Sequence, residues 1–163
     1  MKPSIAIFLA MGLLATSQAP AQSRPEQPSQ RSPQARTAQA QPAKSIVDPN
    51  SVAGWAGQAL AFVDKDQLAQ LWDGASAVAK KHAKRENFIA EVRAVRKPFG
   101  AVKERQWSAV RRQQNAGDAN VPAGEYASVE TVVLFANNQV KSELVTFRHD
   151  EDGAWRFAGY VLR

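Results

Sequence analysis

Few groups in this chain are suited to acid–base or nucleophilic chemistry. There are two histidines, His82 and His149, and no cysteine. The lack of cysteine excludes disulfides, thiol nucleophiles and thiolate metal sites. His82 lies in Lys80-Lys81-His82-Ala83-Lys84-Arg85. Positive charge there complements the end of a helix, and a solvated role follows. His149-Asp150-Glu151-Asp152 gathers an imidazole and three carboxylates. It lacks the spacing of a calcium loop or of His-Glu-x-x-His, so it reads as a polar hairpin tip and no metal is expected. Ser76 follows Gly74-Ala75 without the second glycine of a nucleophile elbow. No glycine-rich phosphate loop or dinucleotide fingerprint occurs, and no cofactor is expected. The remaining pair is Glu130 and Glu143, on neighbouring strands. Counting back from the turn at Asn137-Asn138 puts Glu143 opposite Thr131 or Val132. Two solvated strand carboxylates are the simpler account. The alternative is a small-molecule pocket or small hydrolase, with Glu130, Glu143, Arg156 and Tyr160 as its first candidates.

Charge supplies a second set of candidates. The net charge is +6. Part of it comes from Lys2, Arg24, Arg31, Arg36 and Lys44 near the N-terminus, so overall basicity is a weak signal. The local excess is sharper: between residues 80 and 112, eleven Lys and Arg stand against three Glu. Arg93, Arg96, Lys97, Arg105 and Arg111 are the candidates for a basic docking face toward an acidic partner, and a solvated surface is the bland alternative. Nucleic acid is disfavoured, because the basic residues lack regularly interleaved aromatics and an export signal precedes them.

The elements that must position these groups follow from hydrophobic periodicity. Residues 126–136, 139–148 and 154–162 are runs rich in Val, Thr, Phe, Tyr and Trp, separated by Asn-Asn and Asp-Gly turns. They predict an antiparallel meander. Strict alternation puts Trp155, Phe157 and Val161 on one face of its last strand, toward the helices that carry Trp55 and Trp72. Period two also begins at residue 101 and predicts a polar strand at or near an edge. There Val102, Glu104, Gln106, Ser108 and Val110 face one way, and Lys103, Arg105, Trp107 and Ala109 the other. Three helices precede it. The first starts at Asp48-Pro49. The second carries Leu68, Leu71, Trp72, Ala75 and Val78. The third spans about 86–96 and buries Phe88, Ile89, Val92 and Val95. The fold class is α+β, with about three helices packed on a four-stranded antiparallel sheet.

Upstream, a positive start, a short apolar run and Ala19-Pro20-Ala21 predict a signal peptide over 1–21 cleaved after Ala21, without a stable membrane anchor. Residues 22–46 are rich in Gln, Pro and Ser and predict a disordered linker. The single domain is residues 47–163. The protein is therefore expected in the periplasm or secreted.

Val92-Arg-Ala-Val-Arg-Lys-Pro-Phe-Gly100, Gly124-Glu-Tyr126 and Gly153-Ala-Trp-Arg-Phe-Ala-Gly-Tyr160, with Trp55 and Trp72, resemble the exported bacterial family known as domain of unknown function 4019. The resemblance covers about residues 51–163. It implies a cone of helices against a curved sheet, like the nuclear transport factor 2 and cystatin folds. It implies no activity and carries no catalytic residue. The functional expectation is a non-catalytic exported module that binds a protein partner, with an acidic one suited to the basic face, for example as an immunity-type inhibitor of an exported toxin.

Overall fold

The computed structural model describes residues 47–118 and 121–163. The signal peptide and linker expected upstream lie outside the described residues. Helix α1 (Pro49–Asp64) begins where the sequence places it. The Asp48 carboxylate caps it, accepting from the Asn50 and Ser51 backbone N–H at 3.2 and 3.3 Å. Its apolar stripe of Val52, Ala56, Ala59, Leu60 and Val63 is buried. It ends at Lys65, and Asp66 turns the chain with a φ of 55°.

The expected second helix is two short ones, α2 (Leu68–Asp73) and α3 (Ala77–His82). The apolar stripe is continuous in sequence, but Ser76 interrupts it as the cap of α3. Its Oγ accepts from Val78 N–H at 3.2 Å and donates to Asp150 at 2.6 Å, while its own N–H bonds the Phe157 carbonyl. Local side-chain capping and a tie to the sheet win over helix continuation. Helix α4 (Arg85–Arg96) follows, with Val92 buried and Phe88 and Ile89 packed against the core. Val95, expected inside, is 44% exposed.

Four strands form one antiparallel sheet in the order β1 (Val102–Asn115), β2 (Gly124–Phe135), β3 (Val140–His149), β4 (Trp155–Leu162). β1 and β4 are its edges. The inner face meets the helices in one core, where Ala127, Val129, Val145, Phe147 and Phe157 face the stripe of α1 and the buried leucines of α2. Aromatic contacts run through it. Trp55 stacks on Trp155 at 6.3 Å, and Trp72 meets Phe88, which meets Phe157.

Strict alternation fails at three irregularities. β1 shifts register between Val102 and Glu104 and again between Trp107 and Ala109. In β4 the shift lies after Phe157, since Phe147 pairs Phe157 but Thr146 pairs Gly159. One extra residue reverses side-chain parity. Tyr160, opposite the buried Val145, therefore takes the inward position expected for Val161, which lies opposite Leu144.

Candidate functional site

The cone between helices and sheet contains five polar side chains from five elements. Asp64 ends α1, Arg96 ends α4, Arg105 comes from β1, Glu143 from β3 and Tyr160 from β4. Glu143 is fully buried, directly opposite Thr131. Its carboxylate accepts from Arg96 Nη1, from Arg105 Nε at 2.7 Å and from the Tyr160 hydroxyl at 2.7 Å. The same guanidiniums reach outward to Asp64. Arg96 Nη2 donates to it at 2.6 Å, and Arg105 Nη1 and Nη2 at 2.9 and 3.0 Å. Arg96 also lies over the Phe135 ring, 5.1 Å from its centroid.

Two guanidiniums and two carboxylates thus cancel, as burial demands. Burial draws the Asp64 carboxyl upward, but the Arg105 and Arg96 guanidiniums outweigh it and hold it below the ordinary range. Burial and the neighbouring Glu143 charge push the Tyr160 hydroxyl well above its ordinary value, so it stays a neutral donor. Such a set fixes geometry. It leaves Glu143 without a free approach for a substrate proton, because its oxygens are already engaged.

The sequence-derived candidates separate. Glu130 lies opposite Leu144, on the other face of the sheet from Glu143. It accepts from Arg111 Nη1 at 2.8 Å and Ser142 Oγ at 2.9 Å, and those bonds lower its carboxyl. Arg156 sits at the β3–β4 hairpin, paired with Asp150 and Asp152. Of the four pocket candidates, only Glu143 and Tyr160 meet. Of the five basic-face candidates, Arg96 and Arg105 turn into the cone. Arg93 is exposed and bonds Asp66 at 2.8 Å, Arg111 is exposed with Glu130, and Lys97 is exposed beside Arg96. They do not make one continuous basic face.

His82 is exposed. His149 stacks on Trp155 at 5.0 Å and bonds the Gly153 carbonyl at 3.0 Å. The acids that follow it turn to arginines: Asp150 binds Arg148 and Arg156, and Glu151 binds Arg148. Burial raises the Asp150 carboxyl, and Ser76, Arg148 and Arg156 together pull it below its ordinary value. Among the described residues, no group of three or more His, Cys, Asp and Glu side chains is placed to hold a metal.

Two features escaped sequence reasoning. Asp64, the outer anchor of the cluster, carries no local signal beyond being an acid at a helix end. Trp107 is 54% exposed on edge strand β1, with Val110 40% exposed nearby. The bulge between Trp107 and Ala109 could not be read from the alternating pattern. Two shallow, open grooves of about 270 Å³ each lie elsewhere. Val95, Phe99, Lys141 and Leu162 line one; Gln58, Phe62 and Lys65 line the other.

The profile of the family described as "Protein of unknown function (DUF4019)" matches residues 55–160. The chain belongs to that family. All five members of the buried cluster lie within the DUF4019 span, as does Trp107. No curated protein sequence matches the chain. Among solved structures, a Campylobacter jejuni candidate NTF2-like transpeptidase is similar, with 18% identity and a TM-score of 0.42. The match covers 64% of this chain and 94% of that one. Among the described residues, no helix is long and apolar enough to cross a membrane.

Proposed function

We propose that this DUF4019 protein is an exported, non-catalytic domain that binds a protein partner at the open edge of β1, with Trp107 as its anchor. The observation that carries this reading is the exposure of Trp107. Of the four tryptophans, Trp72 is buried and Trp55 and Trp155 pack on the core, whereas Trp107 offers its indole to solvent. Large exposed aromatics commonly anchor protein interfaces. An edge strand also presents unpaired backbone donors and acceptors for a partner strand. On β1 the ladder to β2 runs without a shift from Ala109 to Asn115, the stretch best suited to such pairing. Lys103, bonded to the neutral Asn138 and to no acid, adds positive charge on this strand, which would steer an acidic partner.

The cone supports the non-catalytic part of this reading. Its carboxylates are bound to its guanidiniums, and none of these side chains lines either of the two shallow grooves. Export rests on the N-terminal sequence, and the reading puts the binding event in the periplasm or outside the cell. Immunity-type inhibition of an exported toxin is one form it can take.

A photo-crosslinking amino acid at position 110, on the same strand as Trp107, with position 81 on α3 as control, tests the reading in producing cells. Adducts of defined mass at 110 and none at 81 are expected. No adduct at 110, or equal labelling at both positions, would overturn it.

A further inference from the structure

A second surface is lined by residues of α4, β3 and β4. The end of α4, the Pro98-Phe99 connector and the end of β4 enclose an open groove of about 270 Å³. Val95, Pro98, Phe99 and Leu162 supply its apolar walls, and Lys141 and Arg163 stand at it. Val95 is 44% exposed although it belongs to the apolar pattern of α4. Lys141 Nζ sits over the Phe99 ring, 5.1 Å from its centroid. Among the described residues, neither Lys141 nor Arg163 forms an ion pair with a carboxylate. The nearby Glu130 feels the Arg163 charge but is bonded to Arg111 and Ser142.

This contrasts with most of the arginines, whereas Lys65, Lys80, Lys81, Lys84, Lys97 and Lys103 likewise form no carboxylate ion pair among the described residues. Arg85, Arg93, Arg96, Arg105, Arg111, Arg112, Arg148 and Arg156 each hold an acid. The groove combines a hydrophobic floor with two cations left unneutralised.

We propose that this groove docks a segment of a partner protein that places a large apolar side chain beside a carboxylate. The volume suits one or two side chains and falls short of the roughly 300–1,000 Å³ typical of whole small-molecule sites. The apolar group would cover Val95, Phe99 and Leu162. The carboxylate would pair with Lys141 and Arg163, the charge complement this rim lacks. Reading the chain as a protein-binding domain sets the class of occupant here; the position rests on the groove alone.

The test titrates 15N-labelled protein with acetyl-Gly-Asp-Leu-Phe-Glu-Gly-amide and with its Asn/Gln counterpart. Amide shifts are expected at Val95, Phe99, Lys141 and Leu162. Affinity should fall about tenfold for the neutral peptide, and likewise for the Lys141→Glu/Arg163→Glu variant. Added salt should weaken the acidic peptide. Equal affinity for both peptides, or no shift at millimolar peptide, would overturn the proposal. Shifts confined to the β1 edge would also overturn it while leaving the Trp107 surface standing. Decanoate perturbing the groove where the acidic peptide does not would identify a small-amphiphile site instead and reject the peptide.

Discussion

Arg105 on β1 bonds the Glu143 carboxylate on β3 at 2.7 Å, reaching past the intervening strand β2. With Arg96 it makes a fully buried carboxylate tolerable, and losing that carboxylate leaves two guanidiniums sharing the single Asp64 carboxylate. Glu143→Ala is expected to lose about 3–5 kcal/mol in urea unfolding, the usual consequence of removing one partner from a buried ion pair. A loss below about 1 kcal/mol would show that the cluster contributes little to the fold.

Thr131 faces Glu143 across the ladder, and its Oγ1 is buried without a hydrogen-bond partner among the described residues. An unpaired buried hydroxyl is a cost that an isosteric valine removes. Thr131→Val should raise stability by about 1 kcal/mol. A comparable loss would reveal a partner for the hydroxyl.

The division of the basic residues gives a sharp contrast. Arg96→Glu would bring a third carboxylate to Asp64 and Glu143 and should cost at least about 3 kcal/mol. Arg93→Glu changes an exposed charge and should leave the melting temperature nearly unchanged. Similar thermal shifts for the two variants would contradict the inward placement of Arg96.

Much of this architecture was legible because local chemistry determined it. Asp48-Pro49 caps α1, Asn138 takes a φ of 63° in the β2–β3 turn, and Gly153 a φ of 82° in the next. Turn counting even put Glu143 opposite Thr131 or Val132, and the partner is Thr131. Its burial was not legible, because the groups that neutralise it are 47 and 38 residues away in the chain. Bulges hid two further features. The shift after Phe157 exchanged Val161 for Tyr160 in the cone, and the shift at Trp107 accompanies an exposed indole that an unbroken alternation does not foretell. At Ser76, a cap and a bond to Asp150, 74 residues away, overruled a helical stripe.

Acid should loosen the fold through the carboxylates tied to arginines. Asp64 and Asp150 both lie below the ordinary value of 3.8 in the folded chain. A depressed folded value contributes stability that is present above 3.8 and lost as pH falls through the folded value. The melting temperature should therefore drop as pH descends below about 4. Asp64→Asn should start lower and show a shallower acid decline. An equal acid slope in both proteins would remove Asp64 from this linkage.

The most direct measurement is the affinity of the partner captured at position 110 for wild-type protein and for Trp107→Ala. An exposed anchor that packs on nothing essential predicts an unchanged melting temperature and binding at least about tenfold weaker. Undiminished affinity in a folded Trp107→Ala protein would contradict the β1 edge as the docking surface.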